Sequence, residues 1–216
     1  MGVIRKTINW YARLGPSHGP SPPPYKHVVQ IGDPTLRKVS EPVPLEKIKT
    51  KEIKSVIEKL SYVMNRYGSV GMAAPQVGVN LRIFVMRLTE KQISEMSAEV
   101  IKLRNISVVP YTVFVNPQLK VMDYQKVIQP EGCESVKFFN AEVARYNAVQ
   151  ITGYNPEGES ISQLYKGWAA RIAQHEMDHL DGKLYTDIMD RKSLCCTLWE
   201  EVNLAKGKIA VPFSPE

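Results

Sequence analysis

The most informative stretch of this 216-residue chain is Gln174-His175-Glu176-Met177-Asp178-His179. It contains the pattern H-E-x-x-H, in which the two histidines are four positions apart. At about 3.6 residues per helical turn, His175 and His179 lie on one face of a helix, where two imidazoles can hold one tetrahedral divalent ion. Glu176 lies about 100° round the helix from His175, within reach of a water molecule on that ion. The stretch therefore predicts a metal-binding helix that also carries a base.

Two histidines do not complete a catalytic metal site, which has three protein ligands and one open position. One class of metalloprotease takes its third ligand from H-E-x-x-H-x-x-G-x-x-H, but Tyr185 occupies the last position here. Glu200 and Glu201 lie at a tolerable distance downstream. Cys133 lies 42 residues upstream of the first histidine, in a Gly-Cys pair between two strand-like segments. The pattern alone leaves Glu200, Glu201 and Cys133 as alternative third ligands.

Positive charge is concentrated at the start of the chain. The net charge is +6, which by itself would favour a nucleic-acid partner. However, residues 1–66 hold 12 basic and 5 acidic groups, whereas the remaining residues hold 16 and 17. The basic, acid-free stretch before Asp33 is typical of an organelle transit peptide, and the Pro-rich residues 17–25 predict an extended linker. We therefore predict three parts: a basic leader (1–25), a catalytic domain (26–205) and a C-terminal tail (206–216).

The composition excludes several classes of protein. Hydrophobic residues make up 44% and charged residues 23% of the chain, which is ordinary for a globular domain and unlike a disordered, collagenous or coiled-coil chain. No run of about 18 apolar residues is present, so no segment is predicted to cross a membrane as a helix. The three cysteines are too few and uneven for a disulfide framework, which favours a reducing compartment.

The chain mixes helical and strand periodicity. Apolar residues at helical spacing predict a helix over residues 50–67, with Gly68 at its end, and residues 89–103 form a predicted helical insertion. Four segments have strand character: residues 81–88, 112–115, 142–154 and 158–165. The last two flank the turn sequence Asn155-Pro156-Glu157-Gly158, which predicts a hairpin. This order of elements predicts an α+β fold with mostly antiparallel strands.

Three motifs occur in this chain in a fixed order, and together they resemble the motifs of the peptide deformylase family. That family has G-x-G-Φ-A-A-x-Q, E-G-C-x-S and Q-H-E-x-D-H, where Φ is an apolar residue. The corresponding stretches are Ser69-Val70-Gly71-Met72-Ala73-Ala74-Pro75-Gln76, Glu131-Gly132-Cys133-Glu134-Ser135 and Gln174-His175-Glu176-Met177-Asp178-His179. The resemblance covers residues 27–190. It implies mostly antiparallel sheets around a central H-E-x-x-H metal-binding helix.

The resemblance also implies the chemistry. A deformylase removes the formyl group from the initiator methionine of nascent peptides and releases formate. Glu176 would act as the base, and the side-chain amide of Gln76 and the backbone N–H of Glu134 would stabilise the oxyanion. The implied cofactor is one divalent ion, Fe²⁺ or Zn²⁺, for which Co²⁺ can substitute. Three residues would be its ligands: Cys133, His175 and His179.

Further residues are candidates for substrate binding or for support of the metal site. Gly71 would present its backbone to the peptide, and three apolar residues would line the methionine pocket: Val70, Trp168 and Ile172. Burial in the core is the alternative for these apolar side chains, and it is the commoner one. Glu131 either supports a metal ligand by pairing with Arg145 or is an independent surface charge.

Two residues depart from the family pattern. Ser69 stands where the family usually has its first glycine, and Glu134 replaces the apolar residue that is usual in bacterial members. We expect the Glu134 carboxylate to weaken anion binding beside the metal and to slow catalysis. The acidic motif, together with Trp168-Ala169-Ala170-Arg171, resembles the mitochondrial enzymes of animals, in agreement with the basic leader. The sequence therefore predicts a location in the mitochondrial matrix.

Two other functions stay open on the sequence alone. A metallopeptidase that uses Glu200 or Glu201 as its third ligand would cleave internal peptide bonds. A low-activity, deformylase-like protein held at the mitochondrial ribosome by its basic N-terminal third would bind RNA with a steep salt dependence. A homodimer is a further hypothesis about its partners.

Overall fold

The computed structural model describes residues 22–215. Within these residues, six strands form one sheet with the order β1-β2-β3-β4-β5, and β6 pairs with another part of β4. The strands are β1 (Gly71–Ala73), β2 (Ile83–Leu88), β3 (Val109–Gly132), β4 (Phe139–Tyr154), β5 (Ser160–Lys166) and β6 (Cys195–Cys196). The helices are α1 (Lys51–Tyr67), α2 (Glu90–Ser94), α3 (Ala98–Leu103), α4 (Gly167–Leu180) and α5 (Trp199–Leu204). All pairings between these strands are antiparallel, which confirms the predicted α+β class.

Helix α1 covers part of the sheet through the apolar face that its sequence predicts. Gly68 ends the helix in a left-handed conformation, with φ at 66°. The helix packs against β1 and β2. Its buried residues all have the predicted helical spacing: Ile53, Val56, Ile57, Leu60, Val63 and Met64. The prediction over residues 50–67 is therefore confirmed.

Helix α4 carries the H-E-x-x-H pattern and packs against strands β1 to β5. Small residues on its buried side, Ala169, Ala170 and Ala173, are almost fully enclosed. Because alanine has a short side chain, the helix backbone can approach the sheet closely. His175 contacts Glu131 of β3, and His179 contacts Cys133 just after that strand.

Strands β3 and β4 form a long hairpin, whose turn brings Cys133 to the end of the sheet. The ladder runs from the pair Val115 and Tyr154 to the pair Gly132 and Asn140. The β4–β5 hairpin is confirmed, but the predicted strand over residues 112–115 is only the first part of β3. The sequence pattern did not indicate the part of β3 after residue 115, because it contains Pro117 and Pro130 and proline usually interrupts a strand. Here Pro117 lies at an irregularity of the ladder.

The predicted helical insertion over residues 89–103 consists of two short helices, α2 and α3. Ser97 separates them because its side chain accepts a hydrogen bond from the N–H of Val100 and begins a new helix. Within the described part of the chain, no helix combines the length and apolarity needed to span a bilayer. Residues 1–21, which hold most of the predicted leader, lie outside the described residues. Tyr25, the last residue of that segment, donates its N–H to the carbonyl of Val77 at 2.9 Å.

Candidate metal centre

Three side chains with metal-binding atoms converge beside α4. They are Cys133, His175 and His179, and their ligand atoms all lie within 4.8 Å of one another. The Sγ atom of Cys133 lies 3.3 Å from Nε2 of His179. The two histidines come from successive turns of α4, and the cysteine comes from the turn after β3. This is the set of ligands that the family resemblance implies.

The chemistry of this group fits a divalent ion. One thiolate and two neutral imidazoles suit Zn²⁺ or Fe²⁺. Burial lowers the pKa of His179 well below its ordinary value, which favours the neutral imidazole that a metal requires. Burial also acts to lower the pKa of His175, but its neighbours Cys133 and Glu131 raise that pKa well above the ordinary value. In the part of the chain that the structure describes, Glu200 and Glu201 are exposed on α5, and the group that can hold an ion includes neither of them. The geometry therefore favours Cys133 over the downstream glutamates.

Glu131 supports the histidines from behind. Its side chain is 5% exposed, and its carboxylate accepts from Nδ1 of His175 at 2.7 Å and from Nη2 of Arg145 at 2.6 Å. Nη1 of Arg145 also contacts Asp178 at 2.5 Å. Burial alone would raise the pKa of Glu131, but hydrogen bonds and charge from His175 and Arg145 hold it far below its usual range. An ionised Glu131 can accept the Nδ1 proton of His175, and that tautomer would leave Nε2 available to an ion.

Arg171 is a second partner of Glu131, a role that the sequence motifs do not indicate. Its Nη1 atom donates to Oε2 of Glu131 at 2.9 Å and to the carbonyl of Val143 at 2.9 Å, and its Nη2 donates to the carbonyl of Val127 at 2.7 Å. The side chain is buried. A detectable signal was present, since Arg171 lies one helical turn before His175 and so shares its face.

Glu176 lies buried between α4 and β1. It is 3% exposed, and burial raises its pKa to about 7, against the opposing charge of His175. Among the described residues, its Oε2 atom has no hydrogen-bond partner. A Cβ atom added to Gly71 would lie only 2.3 Å from Oε1 of Glu176. Gly71 is thus needed to leave room for this carboxylate, a reason that the sequence did not reveal.

Gln76 and Glu134 lie on either side of the cysteine. Gln76 is 2% exposed, and its Oε1 atom accepts from the N–H of Ala73 at 2.9 Å. This contact turns its Nε2 atom toward Sγ of Cys133 at 3.7 Å and Oγ of Ser135 at 3.3 Å. Glu134 begins the short 3₁₀ turn Glu134–Val136, and burial raises the pKa of its carboxyl group against the charge of nearby Lys137. Both residues therefore lie beside the metal-binding group.

A cleft of about 610 Å³ opens onto this group. Its walls include all four predicted substrate-binding residues: Val70, Gly71, Trp168 and Ile172. Ile172 is almost fully enclosed, and Val70 and Trp168 pack against the same buried cluster. These three apolar side chains therefore line the cleft and also pack in the core, so the two predicted alternatives do not exclude each other. The guanidinium group of Arg104 lies 4.7 Å from the ring centre of Trp168 and borders the cleft.

Comparison with known proteins identifies the family of this chain. The family model described as polypeptide deformylase matches residues 25–194. The chain belongs to the polypeptide deformylase family. It is 44% identical to the human mitochondrial peptide deformylase over 185 residues, which cover 86% of this chain and 76% of that protein. It is also 38% identical to the chloroplastic peptide deformylase 1A of Solanum lycopersicum, over 83% of this chain and 64% of that protein.

Solved deformylase structures share the fold. A Thermotoga maritima peptide deformylase is 31% identical with a TM-score of 0.63, covering 77% of this chain and 98% of that one. An Acinetobacter baumannii deformylase is 25% identical with a TM-score of 0.66, covering 75% and 97%. Deformylases are metal-dependent hydrolases that remove the N-formyl group from nascent peptides, so the predicted family and activity are confirmed.

Proposed function

We propose that this deformylase acts on the formylated initiator methionine of polypeptides made in mitochondria. One observation carries the proposal. In a chain of the deformylase family, a Cys/His/His group, a buried carboxylate and a buried amide converge at the end of one cleft. The human relative of the same family is mitochondrial by name, which supports the proposed location, and we place the protein in the matrix.

The ligands of the ion are Cys133, His175 and His179 in this proposal. The ion is Fe²⁺ or Zn²⁺, and Co²⁺ can replace it. When bound, such an ion acts as a Lewis acid, which polarises a carbonyl oxygen and lowers the pKa of a water molecule. The thiolate and two neutral imidazoles leave a net charge of about +1 on the site, which favours that polarisation.

Glu176 moves the proton. A carboxylate with a pKa near the working pH can both accept a proton and return it. Glu176 takes one proton from the attacking water as oxygen bonds to the formyl carbon. It then gives that proton to the nitrogen of the leaving methionine as the carbon–nitrogen bond breaks, so that formate and a free amine result. Its burial keeps bulk water away from this exchange.

Gln76 and the backbone N–H of Glu134 stabilise the oxyanion. The contact between Oε1 of Gln76 and the N–H of Ala73 holds the amide in place before the reaction begins. A donor fixed in this way costs little reorganisation, and one such donor is typically worth about 3 kcal/mol. Val70, Trp168 and Ile172 bind the methionine side chain, and Gly71 contacts the peptide backbone.

The decisive experiment measures formate release from formyl-Met-Ala-Ser under anaerobic conditions, after reconstitution with Fe²⁺, Co²⁺ or Zn²⁺. We expect wild-type turnover, at least a 100-fold loss in Glu176→Gln with the ion retained, and loss of the ion in Cys133→Ala. Glu201→Ala is the control and should change neither the turnover nor the amount of bound ion. Cleavage of internal peptide bonds that depends on Glu201 would instead establish a metallopeptidase.

The leader, the partners and the domain limits are proposals of the same kind. We propose that residues 1–25 direct import, that residues 26–205 form the catalytic domain, and that residues 206–216 are a tail. A fluorescent reporter fused to residues 1–25 should enter the mitochondrial matrix, and a reporter fused to the same residues with Arg5, Lys6 and Arg13 changed to Gln should stay in the cytosol. Sedimentation at several protein concentrations tests the proposed homodimer. Co-sedimentation with mitochondrial ribosomes tests the proposed binding to the ribosome.

A further inference from the structure

A short segment before α1 connects the two sides of the proposed oxyanion site. The N–H of Val29 donates to the carbonyl of Gln76 at 2.9 Å, and the N–H of Ile31 donates to the carbonyl of Ser135 at 2.7 Å. Val28 and Val29 are buried, so the segment is anchored in the domain and cannot swing away freely. Residues 28–31 therefore hold the turn with Gln76 and the turn with Glu134 at a fixed separation, although they belong to none of the three sequence motifs.

The side chain of Gln30 lies between these two backbone contacts. Its Nε2 atom donates to the carbonyl of Glu134 at 2.8 Å, and its Oε1 atom accepts from the N–H of Lys137 at 3.4 Å. A single half-buried amide thus contacts both ends of the 3₁₀ turn Glu134–Val136. Few other side chains offer a donor and an acceptor at this length, since an acid cannot donate when ionised and a lysine cannot accept.

The contact with Gln30 fixes one peptide unit of that turn. The carbonyl of Glu134 accepts from Gln30, and the N–H of the same peptide unit, which belongs to Ser135, points to Sγ of Cys133 at 3.4 Å. A planar peptide unit held at both ends cannot rotate. Because the backbone N–H of Glu134 is attached to the same Cα atom, its direction toward the formyl oxygen depends on this constraint.

We propose that Gln30 is a positioning residue for deformylation, which holds the backbone N–H of Glu134 in the direction that the oxyanion requires. The inference rests on the proposed function, since the N–H of Glu134 is an oxyanion donor only in that mechanism. Gln30 does not contact the reacting atoms. It acts through the turn, and its loss should therefore affect the transition state more than the binding of the substrate.

The test compares Gln30→Met, which nearly preserves the size of the side chain, with Gln30→Glu, which removes the donor. Gln30→Met removes all three hydrogen bonds of the amide, including the one from Nε2 to the carbonyl of Val28 at 3.3 Å. We expect kcat to fall about 10-fold to 100-fold in both variants, with KM changed by less than about twofold, since a misaligned donor acts mainly on kcat. Bound ion and Tm should stay near the wild-type values. Gln150→Met is the matched control. Among the described residues, the side chain of Gln150 bonds only Ser162 on the distant β4–β5 hairpin, so this variant should leave kcat unchanged.

Hydrogen exchange of the Ser135 and Lys137 amides in the metal-free protein supplies a readout that does not depend on turnover. Both amides should exchange faster in Gln30→Met than in wild type. A wild-type kcat in Gln30→Met or Gln30→Glu, or a rise in KM with kcat unchanged, would overturn the inference and leave the proposed function intact. If the wild-type chain releases no formate with any of the three ions, the proposed function fails. If, in addition, the Ser135 and Lys137 amides exchange at the same rate in Gln30→Met as in wild type, the contact between Gln30 and the Glu134–Val136 turn is rejected as well.

Discussion

Glu131 is the residue on which most of the polar contacts behind the proposed metal site depend. It accepts hydrogen bonds from His175 and from two arginines, Arg145 and Arg171. Asp178 pairs with Arg145 from the other side, so that two buried or half-buried acids balance two arginines. Buried charges persist only when they are paired in this way, because an unpaired one loses its hydration without compensation.

Glu131→Gln should therefore weaken both the fold and the metal site. The variant leaves Arg171 without a charged partner, and we expect the free energy of unfolding to fall by about 3 to 5 kcal/mol. The affinity for Zn²⁺ should fall at least 10-fold, since His175 loses the group that orients it. Urea unfolding and competition with a chelator measure the two effects. The control is Glu142→Gln, at an exposed position of β4, for which a change of more than about 0.5 kcal/mol would be unexpected.

Gly71→Ala should separate activity from folding. The new Cβ atom would meet Oε1 of Glu176 at 2.3 Å and must displace that carboxylate. We expect kcat to fall about 100-fold while the ion stays bound, because a shift of about 1 Å in a catalytic group has an effect of this size. Gly132→Ala is the comparison, since its Cβ would meet nothing closer than the carbonyl of Phe139 at 3.4 Å. Equal kcat values for the two variants would contradict this account of Gly71.

At the scale of elements, helix α1 and the β3–β4 hairpin have different roles. The helix supplies hydrophobic burial on the sheet, and its own sequence specifies which face is buried. The hairpin supplies position, since its long ladder brings Cys133 and Glu134 from the end of β3 to the histidines of α4. Damage to the helix should therefore reduce stability, whereas damage to the hairpin turn should reduce activity first.

Leu60→Ala tests the contribution of α1. Leu60 is fully buried, and removing its side chain leaves a cavity between the helix and the sheet. We expect a loss of about 2 to 5 kcal/mol in the free energy of unfolding, measured in urea. The matched substitution Glu58→Ala, on the exposed face of the same helix, should change the stability by less than about 0.5 kcal/mol. Similar losses in both variants would mean that α1 does not pack as the structure describes.

At the scale of the whole molecule, contacts between distant parts of the chain close the structure around α4. Arg37, from the segment before α1, contacts Asp187 at 2.5 Å, although 150 residues separate them. The same carboxylate accepts from the N–H of Leu184 at 2.9 Å. Partial burial raises the pKa of Asp187, but these two hydrogen bonds outweigh it and lower the pKa below its usual value.

This contact should make part of the stability depend on pH. Because the folded pKa of Asp187 lies below the unfolded value, its contribution is present above about pH 4 and disappears as the pH falls through the folded pKa. Asp187→Asn should therefore destabilise the protein at pH 7, by less than about 1 kcal/mol because the pair is exposed, and the difference from wild type should shrink below about pH 4. Urea unfolding of both proteins at several pH values between about 3 and 7 measures this difference in the free energy of unfolding. A difference that grows on acidification would contradict the assignment, and exposed Glu46→Gln is the control.

The sequence was sufficient wherever a short period or motif specifies the structure. It predicted α1, the β4–β5 hairpin and the helix of His175, Glu176 and His179, because side-chain direction in a helix or strand follows from spacing alone. The motif order was enough to predict the family. The sequence failed for the part of β3 after residue 115, where Pro117 and Pro130 obscured the strand, and for the break that Ser97 introduces between α2 and α3.

What the sequence determined by itself, then, was most of the local structure, the family and the position of two histidines on one face of a helix. Only the tertiary structure placed Cys133 within 4.8 Å of them, paired Arg171 with Glu131, packed Gly71 against Glu176 and brought Gln30 to the Glu134 turn. The physical reason is the range of the interactions. Spacing along the chain fixes the direction of neighbouring side chains, whereas contacts across 40 to 104 residues depend on how the sheet registers its strands and how α4 packs on it.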